Sequence, residues 1–359
     1  MRGGAGVRFR QAKSDNCCQF GTMLWGAAGA SMTKPKGYHM SQQVQDYTSE
    51  MAACAAAIGI KPPAIVKPSD HRVELDGISF HYLDWGNPQL PPLVLLHGGG
   101  LTAHTWDMAA LLLRNRYHLI ALDQRGHGDT GWTPEEQIGE DNAELMLADT
   151  QAFIDFLGYE RLALCGMSMG GMNAIRYAAR YAQKLDALTI VDVGPIVLQE
   201  GVLELEQFRR DTETLRRFDD FLERAIRFNP QRDPAHLRYS LRHSLKPVPD
   251  GWTWKQDHRS RSQTQQPSKD EMRALREQRA RELWADVDAI PTPTLLMRGE
   301  RSKILSEDAA QQMVRRMTNC QLVVIPGAGH SVQGDNPAAF AAEADRFLTE
   351  VLSSHWGSQ

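Results

Sequence analysis

Three short stretches of the chain hold residue types that together can carry out acyl transfer. The first is Gly166-Met167-Ser168-Met169-Gly170-Gly171, which follows the apolar run Leu162–Cys165 and precedes a segment of helical period. Gly-x-Ser-x-Gly between a strand and a helix presents a hydroxyl on a sharp turn, with glycines where side chains would collide with the adjoining elements. The helix start behind Ser168 adds N–H groups and a positive dipole end, suited to a developing oxyanion. The second stretch, His97-Gly98-Gly99-Gly100, follows the apolar run Leu93–Leu96. A glycine run leaves backbone N–H groups free to aim at an oxyanion, with Gly99 the first choice to act beside Met169 and Gly100 the alternative. The third, Gly327-Ala328-Gly329-His330-Ser331, follows the late run Leu322–Ile325. A serine hydroxyl needs a base in hydrogen-bond reach, and His330 is the histidine placed in a glycine-flanked loop after a strand. His97 and His127 are expected to shape loops. Taken singly, the three stretches could be a helix-capping serine, a glycine turn and a surface histidine. Their joint occurrence, each just after a strand-like run, favours the chemical reading.

Such stretches need a scaffold that gathers strand ends. Continuous apolar runs at Leu93–Leu96, His118–Leu122, Leu162–Cys165, Ala187–Val191, Thr294–Met297 and Leu322–Ile325 read as strands buried on both faces. Amphipathic segments of helical period lie between most of them, including Ala143–Leu157 and Met172–Ala182. This alternation predicts an α/β fold, a mostly parallel eight-stranded sheet with helices on both faces. Arg72–Leu75 and Ile78–Leu83, turning at Asp76-Gly77, supply an antiparallel edge. The stretch between Asp192 and Thr294 breaks the rhythm. It is charged, helically patterned at Leu203–Phe228 and Lys269–Ala285, and too long for a loop. It predicts a helical cap over one end of the sheet, with a turn at Pro247-Val248-Pro249-Asp250-Gly251. The expected organisation is therefore a poorly ordered N-terminal extension over 1–70, a core over 71–194 and 292–355, and a helical cap over 195–291. A short helix near Val44 to Ile58, ended by Pro62-Pro63, is expected within the extension.

Composition narrows the function classes. Lys+Arg 40 against Asp+Glu 44 leaves a formal net charge of −4 without a long basic run, which disfavours nucleic acid as a partner. No apolar stretch is long enough for a membrane span. The 5 Cys lack CxxC spacing, which argues against a disulfide framework and a zinc cluster. Near the N-terminus, Gln19, Gly21, Thr22 and Gly26 interrupt the apolar segment that a secretory signal requires, so a cytoplasmic location is expected and export is less favoured. Cys165 is expected to be an inert strand residue. Trp252, Trp254 and Trp284 could line an acyl pocket, but packing within the cap is the preferred role.

The motifs resemble the α/β-hydrolase superfamily, specifically its esterase-like serine hydrolases with a helical cap, from roughly Arg72 to Leu352. Asp123-Gln124-Arg125-Gly126-His127-Gly128, Val191-Asp192-Val193-Gly194-Pro195 and the Gly-His-x-Val-Gln-Gly-Asp-Asn-Pro run from Gly329 add to the likeness. The resemblance implies the chain order Ser, acid, His. It also implies a cofactor-free serine hydrolase that cleaves small carboxylic esters through an acyl-enzyme, with Ser168, His330 and Asp192 as triad and Gly99 and Met169 as oxyanion hole. Carbon–carbon bond hydrolases, lactonases, thioesterases and haloperoxidases share the scaffold, and a non-catalytic ligand-binding protein is the alternative of another class. An aspartate-nucleophile enzyme is disfavoured because Ser168 fills the nucleophile position. The chain departs from many relatives at Gly299-Glu300-Arg301-Ser302-Lys303, where Lys303 stands in place of their acid. Lysine cannot accept a histidine N–H. Asp192 is then the preferred acid and Glu300 the second choice, with Glu307 and Asp308 placed on the following helix.

Overall fold

Residues 47–211, 214–257, 259 and 268–353 are described by the computed structural model. The expectations for residues 1–46 lie outside the described residues. Strands that are apolar throughout must be covered on both faces. Accordingly β3 (Pro92–Leu96), β4 (His118–Leu122), β5 (Leu162–Met167) and β6 (Leu185–Val191) are buried at every residue. With β1 (Ser69–Leu75), β2 (Ile78–Asp84), β10 (Thr294–Gly299) and β11 (Cys320–Ile325) they form one eight-stranded sheet in the order β1-β2-β4-β3-β5-β6-β10-β11. β1–β2 and β2–β4 pair antiparallel, and every other pairing is parallel. The register sets Leu96 beside Gly166, Met167 beside Val191, and Val191 beside Met297. The loops after β3, β5, β6 and β10 therefore leave the sheet side by side at its C-terminal edge.

One face is covered by α1 (Tyr47–Ala57), α2 (Asp107–Leu113) and α10 (Pro337–Leu352), the other by α3 (Asn142–Leu157), α4 (Met169–Arg180) and α9 (Glu307–Arg316). The structure departs here from the expected extension. Residues 47–57 form a helix whose Met51, Cys54 and Ala55 lie in the core at i, i+3 and i+4, and β1 already begins at Ser69. Short side chains gave that stripe little contrast in a run rich in alanine. Met51→Ala is expected to destabilise the protein by about 2–5 kcal/mol, read from the urea midpoint at constant m. A loss under about 0.5 kcal/mol would show that α1 contributes little to the fold.

Between β6 and β10 stand α5 (Gln199–Asp211), β7 (Thr214–Leu215), α6 (Phe218–Phe228), α7 (Pro234–Ser244), β8 (Leu245–Val248), β9 (Gly251–Trp254) and α8 (Lys269–Ala289). The cap is thus helical in the main but not wholly so, because β7, β9 and β8 make a small antiparallel sheet. Its hairpin turns at the Pro-rich stretch, and Gly251 is required there. Its φ is 144°, and a Cβ would stand 2.2 Å from the Leu215 carbonyl oxygen. Phe221, Leu237, Leu241 and Trp254 form the cap's own core, so Trp254 packs within the cap. Trp252 meets Phe218 edge-on, and Trp284 lies under the Arg316 guanidinium. The last turns of α8 leave the cap, since Leu283, Val287 and Ile290 join the core cluster that covers the sheet. No helix among the described residues is long and apolar enough to cross a membrane.

Candidate active site

Ser168 sits where β5 gives way to α4, with φ 52° and ψ −115°, a conformation that a non-glycine residue adopts only under constraint. The constraint comes from the glycines around it. A Cβ on Gly166 would lie 2.2 Å from the Gly170 carbonyl oxygen, and one on Gly170 would lie 2.3 Å from that of Leu96. Strand and helix can approach this closely only without side chains. The Ser168 N–H donates to Val191 O at 3.1 Å, and the Gly170 N–H donates to His97 O at 3.1 Å. The elbow is thereby tied to both neighbouring strand ends.

His330 reaches the elbow from the loop after β11. Its Nε2 lies 3.0 Å from Ser168 Oγ and its Nδ1 2.8 Å from Asp192 Oδ2. A carboxylate can only accept, which assigns the proton to Nδ1 and leaves Nε2 to receive the serine proton. Asp192 follows β6, is fully buried, and also has positive φ, at 52°. Its Oδ1 accepts the Gly299 N–H at 3.0 Å, and its Oδ2 accepts the Ser302 hydroxyl at 2.5 Å. The loop after β10 thus contributes hydrogen-bond donors to the Asp192 carboxylate.

Glu300, the second choice, points elsewhere: its Oε2 accepts the Gly327 N–H at 2.7 Å. Lys303 reaches away to the surface and pairs with Glu204 at 2.9 Å. Glu307 and Asp308 open α9, as expected.

The glycine loop after β3 lies against the elbow. A Cβ on Gly98 would stand 2.5 Å from Met167 Sδ and 3.2 Å from Ser168 Cβ, so only glycine fits. Met169 is the first residue of α4, where an N–H has no intrahelical partner. Among the described residues, no hydrogen bond is made by the backbone N–H of Gly99 or of Met169. His97 is buried, donates from Nδ1 to Gly98 O at 2.8 Å and accepts the Gln124 N–H at Nε2 at 3.0 Å. Burial holds its pKa below the usual value. His127 donates from Nδ1 to Arg125 O, and burial first, then the nearby His97, lowers its pKa to about 3. Both imidazoles hold loops through these bonds. Cys165 is buried in β5, and that burial pushes its thiol up, away from reactivity.

Two supports carried no local sequence signal. Ser302 orients Asp192 while its oxygen accepts the Ile304 and Leu305 N–H groups at 3.0 and 3.1 Å. Asp335 accepts the Gly329 N–H at 2.9 Å with Oδ2, and its Oδ1 takes Arg232 of the cap at 2.6 Å. One half-buried carboxylate thereby fixes the His330 loop and the cap together. The cap docks a second time where the Gly128 N–H donates to Lys255 O and the Asp257 N–H to Gly126 O.

A serine, a histidine and an aspartate linked in series by hydrogen bonds at the C-terminal edge of a capped, mostly parallel sheet define a class, and comparison with known proteins agrees. A model of the alpha/beta hydrolase family matches residues 93–343. The chain is 31% identical over 302 residues to the esterase Rv0045c of Mycobacterium tuberculosis, covering 80% of this chain and 91% of that protein. It is 28% identical over 286 residues to a non-heme haloperoxidase of Rhodococcus erythropolis, covering 76% and 97%. A solved structure of the same mycobacterial esterase superposes with a TM-score of 0.66 at 29% identity, over 84% of this chain and 98% of that one. E-2-(acetamidomethylene)succinate hydrolase superposes with a TM-score of 0.66 at 23% identity, over 78% and 99%, a likeness of fold alone. The chain belongs to the alpha/beta hydrolase family, and it is a hydrolase whose relatives include esterases.

Proposed function

We propose that the chain is a serine esterase that hydrolyses small carboxylic esters. The observation that carries this reading is the unbroken path Ser168 Oγ–His330 Nε2, His330 Nδ1–Asp192 Oδ2, at 3.0 and 2.8 Å. In the proposed reaction the serine oxygen attacks the acyl carbon as its proton passes to His330 Nε2. Negative charge gathers on the former carbonyl oxygen, opposite the N–H groups of Gly99 and Met169. The imidazolium then protonates the leaving alcohol and the C–O bond breaks, leaving the acyl group on Ser168. Water, deprotonated by His330, attacks the acyl-enzyme and releases the acid and the free serine. Asp192 keeps the imidazole in the tautomer that accepts at Nε2 and stabilises its charged form. The steps use only side chains and backbone of this chain, so the reading calls for no cofactor and no macromolecular partner. The mycobacterial relative described as an esterase supports the ester over the carbon–carbon, lactone and thioester alternatives.

A non-catalytic reading could rest on Lys303, which stands where many relatives keep their acid; Asp192 within hydrogen-bond reach of His330 speaks against it. A fluorophosphonate probe should label the full chain at Ser168 and fail to label Ser168→Ala. A ladder of p-nitrophenyl esters of rising acyl length should show turnover with one preferred length. Absence of labelling and of turnover in a folded protein would favour a binding role.

A further inference from the structure

Five titratable side chains from three elements meet away from the triad. Tyr47 comes from α1, His104 and Asp107 from the turn that opens α2, and Tyr239 and His243 from the cap helix α7. Asp107 is fully buried and unevenly satisfied. Its Oδ2 receives the Tyr47 hydroxyl at 2.9 Å, the Tyr239 hydroxyl at 2.5 Å and His104 Nδ1 at 2.9 Å. Its Oδ1 is buried and, among the described residues, has no partner. The same holds for His243 Nε2, on a ring enclosed by Tyr47, Tyr239 and His104. Buried polar atoms are nearly always paired, so two bare ones in a single cluster call for a ligand that both can meet.

We propose that His104, Asp107 and His243 form a binding site for a divalent transition-metal ion of the Zn²⁺ or Co²⁺ type, joining the core to cap helix α7. Each of the three offers a ligand atom within 4.8 Å of the other two. Two imidazoles and one carboxylate suit a borderline ion; Mg²⁺ and Ca²⁺ prefer oxygen alone. Asp107 is prepared for the task, because two phenol hydroxyls hold Oδ2 while Oδ1 stays free to ligate. Outer donors of this kind orient a metal-bound carboxylate. The imidazoles of His104 and His243 stack at 3.8 Å with planes 25° apart. An ion in the plane of both therefore requires the His243 ring to turn, and no hydrogen bond to His243 resists that turn among the described residues. Beside the site, Glu50 of α1 pairs with Arg242 of α7 at 3.2 Å, so the ion would reinforce a junction that already joins these helices.

The test uses the full chain, stripped with a chelator and titrated with Co²⁺ by visible absorption and with Zn²⁺ by calorimetry. The expected result is one ion per chain, ligand-field bands of a low-coordinate nitrogen–oxygen site, and a melting temperature that rises with added Zn²⁺. His243→Phe keeps the stacked ring and should weaken binding by about 100-fold, with loss of the bands. Asp107→Asn keeps the side-chain shape and should do the same, and it decides the matter if the phenylalanine variant does not fold. Failure of the unaltered chain to bind either ion overturns the proposal, as would be expected if water alone fills the cluster. Binding of equal affinity in a folded variant also overturns it, because the ion would then sit elsewhere.

Discussion

Ser168→Ala and His330→Ala should each lower kcat for p-nitrophenyl ester hydrolysis by about 10⁴–10⁶, with circular dichroism and melting unchanged. The size follows from interdependence. Without the imidazole, Ser168 Oγ has no acceptor for its proton, and without the hydroxyl, His330 Nε2 has nothing to activate but water. The double variant should therefore be about as slow as either single one, because the two groups act as one unit. Residual activity above water's would belong to the oxyanion donors, which neither substitution touches. The fold should survive because Ser168 is held by its backbone, through the glycine-only contact of Gly166 with Gly170. His330 is likewise carried on a loop fixed by the Gly329–Asp335 bond. More than a tenth of the activity surviving in either variant would remove both residues from the proposed mechanism.

How far the site was legible depended on how far apart its partners lie in the chain. The elbow is a local device: strand, turn and helix lie within one short stretch, and its glycines meet one another or the adjoining strand. The inner strands were equally plain, since burial on both faces forces unbroken apolar runs. The edge strand β11, by contrast, is only half-buried with Val324 exposed, and β1 and β2 were read from their turn at Asp76-Gly77. The acid was harder. Asp192 follows its strand as expected, but the β10 loop with Lys303 competed for the role until its geometry was known. Ser302 had no signal at all, because the carboxylate it supports lies 110 residues away along the chain. Asp335, 103 residues from Arg232, was visible only as part of a familiar run and not for what it holds. The helix α1 was expected near Val44 to Ile58, but its packing into the core was missed, for another reason. Its buried stripe is made of small residues around Met51, and periodicity built from alanine and cysteine scarcely differs from the residues between.

Asp192→Asn should reduce kcat by about 10⁴ while the protein stays folded. Three donors converge on this carboxylate: Gly299 N–H on Oδ1, and Ser302 O–H and His330 Nδ1–H on Oδ2. An amide has one oxygen and one NH₂ to meet them. With the NH₂ toward His330, it donates to Nδ1, moves the ring proton to Nε2 and takes the acceptor away from Ser168. With the NH₂ toward Gly299, two donors oppose each other in a buried site, at a cost of about 1–3 kcal/mol. Each arrangement is unfavourable, and the first abolishes the base. Glu300→Gln should change kcat only slightly, because Glu300 serves the Gly327 N–H and glutamine retains an acceptor oxygen. Adding Lys303→Asp to Asp192→Asn should restore nothing. The Lys303 side chain lies at the surface against Glu204, and Ser302 already stands at the acid. A rescue by Lys303→Asp, or a large loss in Glu300→Gln, would move the acid into the β10 loop and leave Asp192 as that loop's anchor.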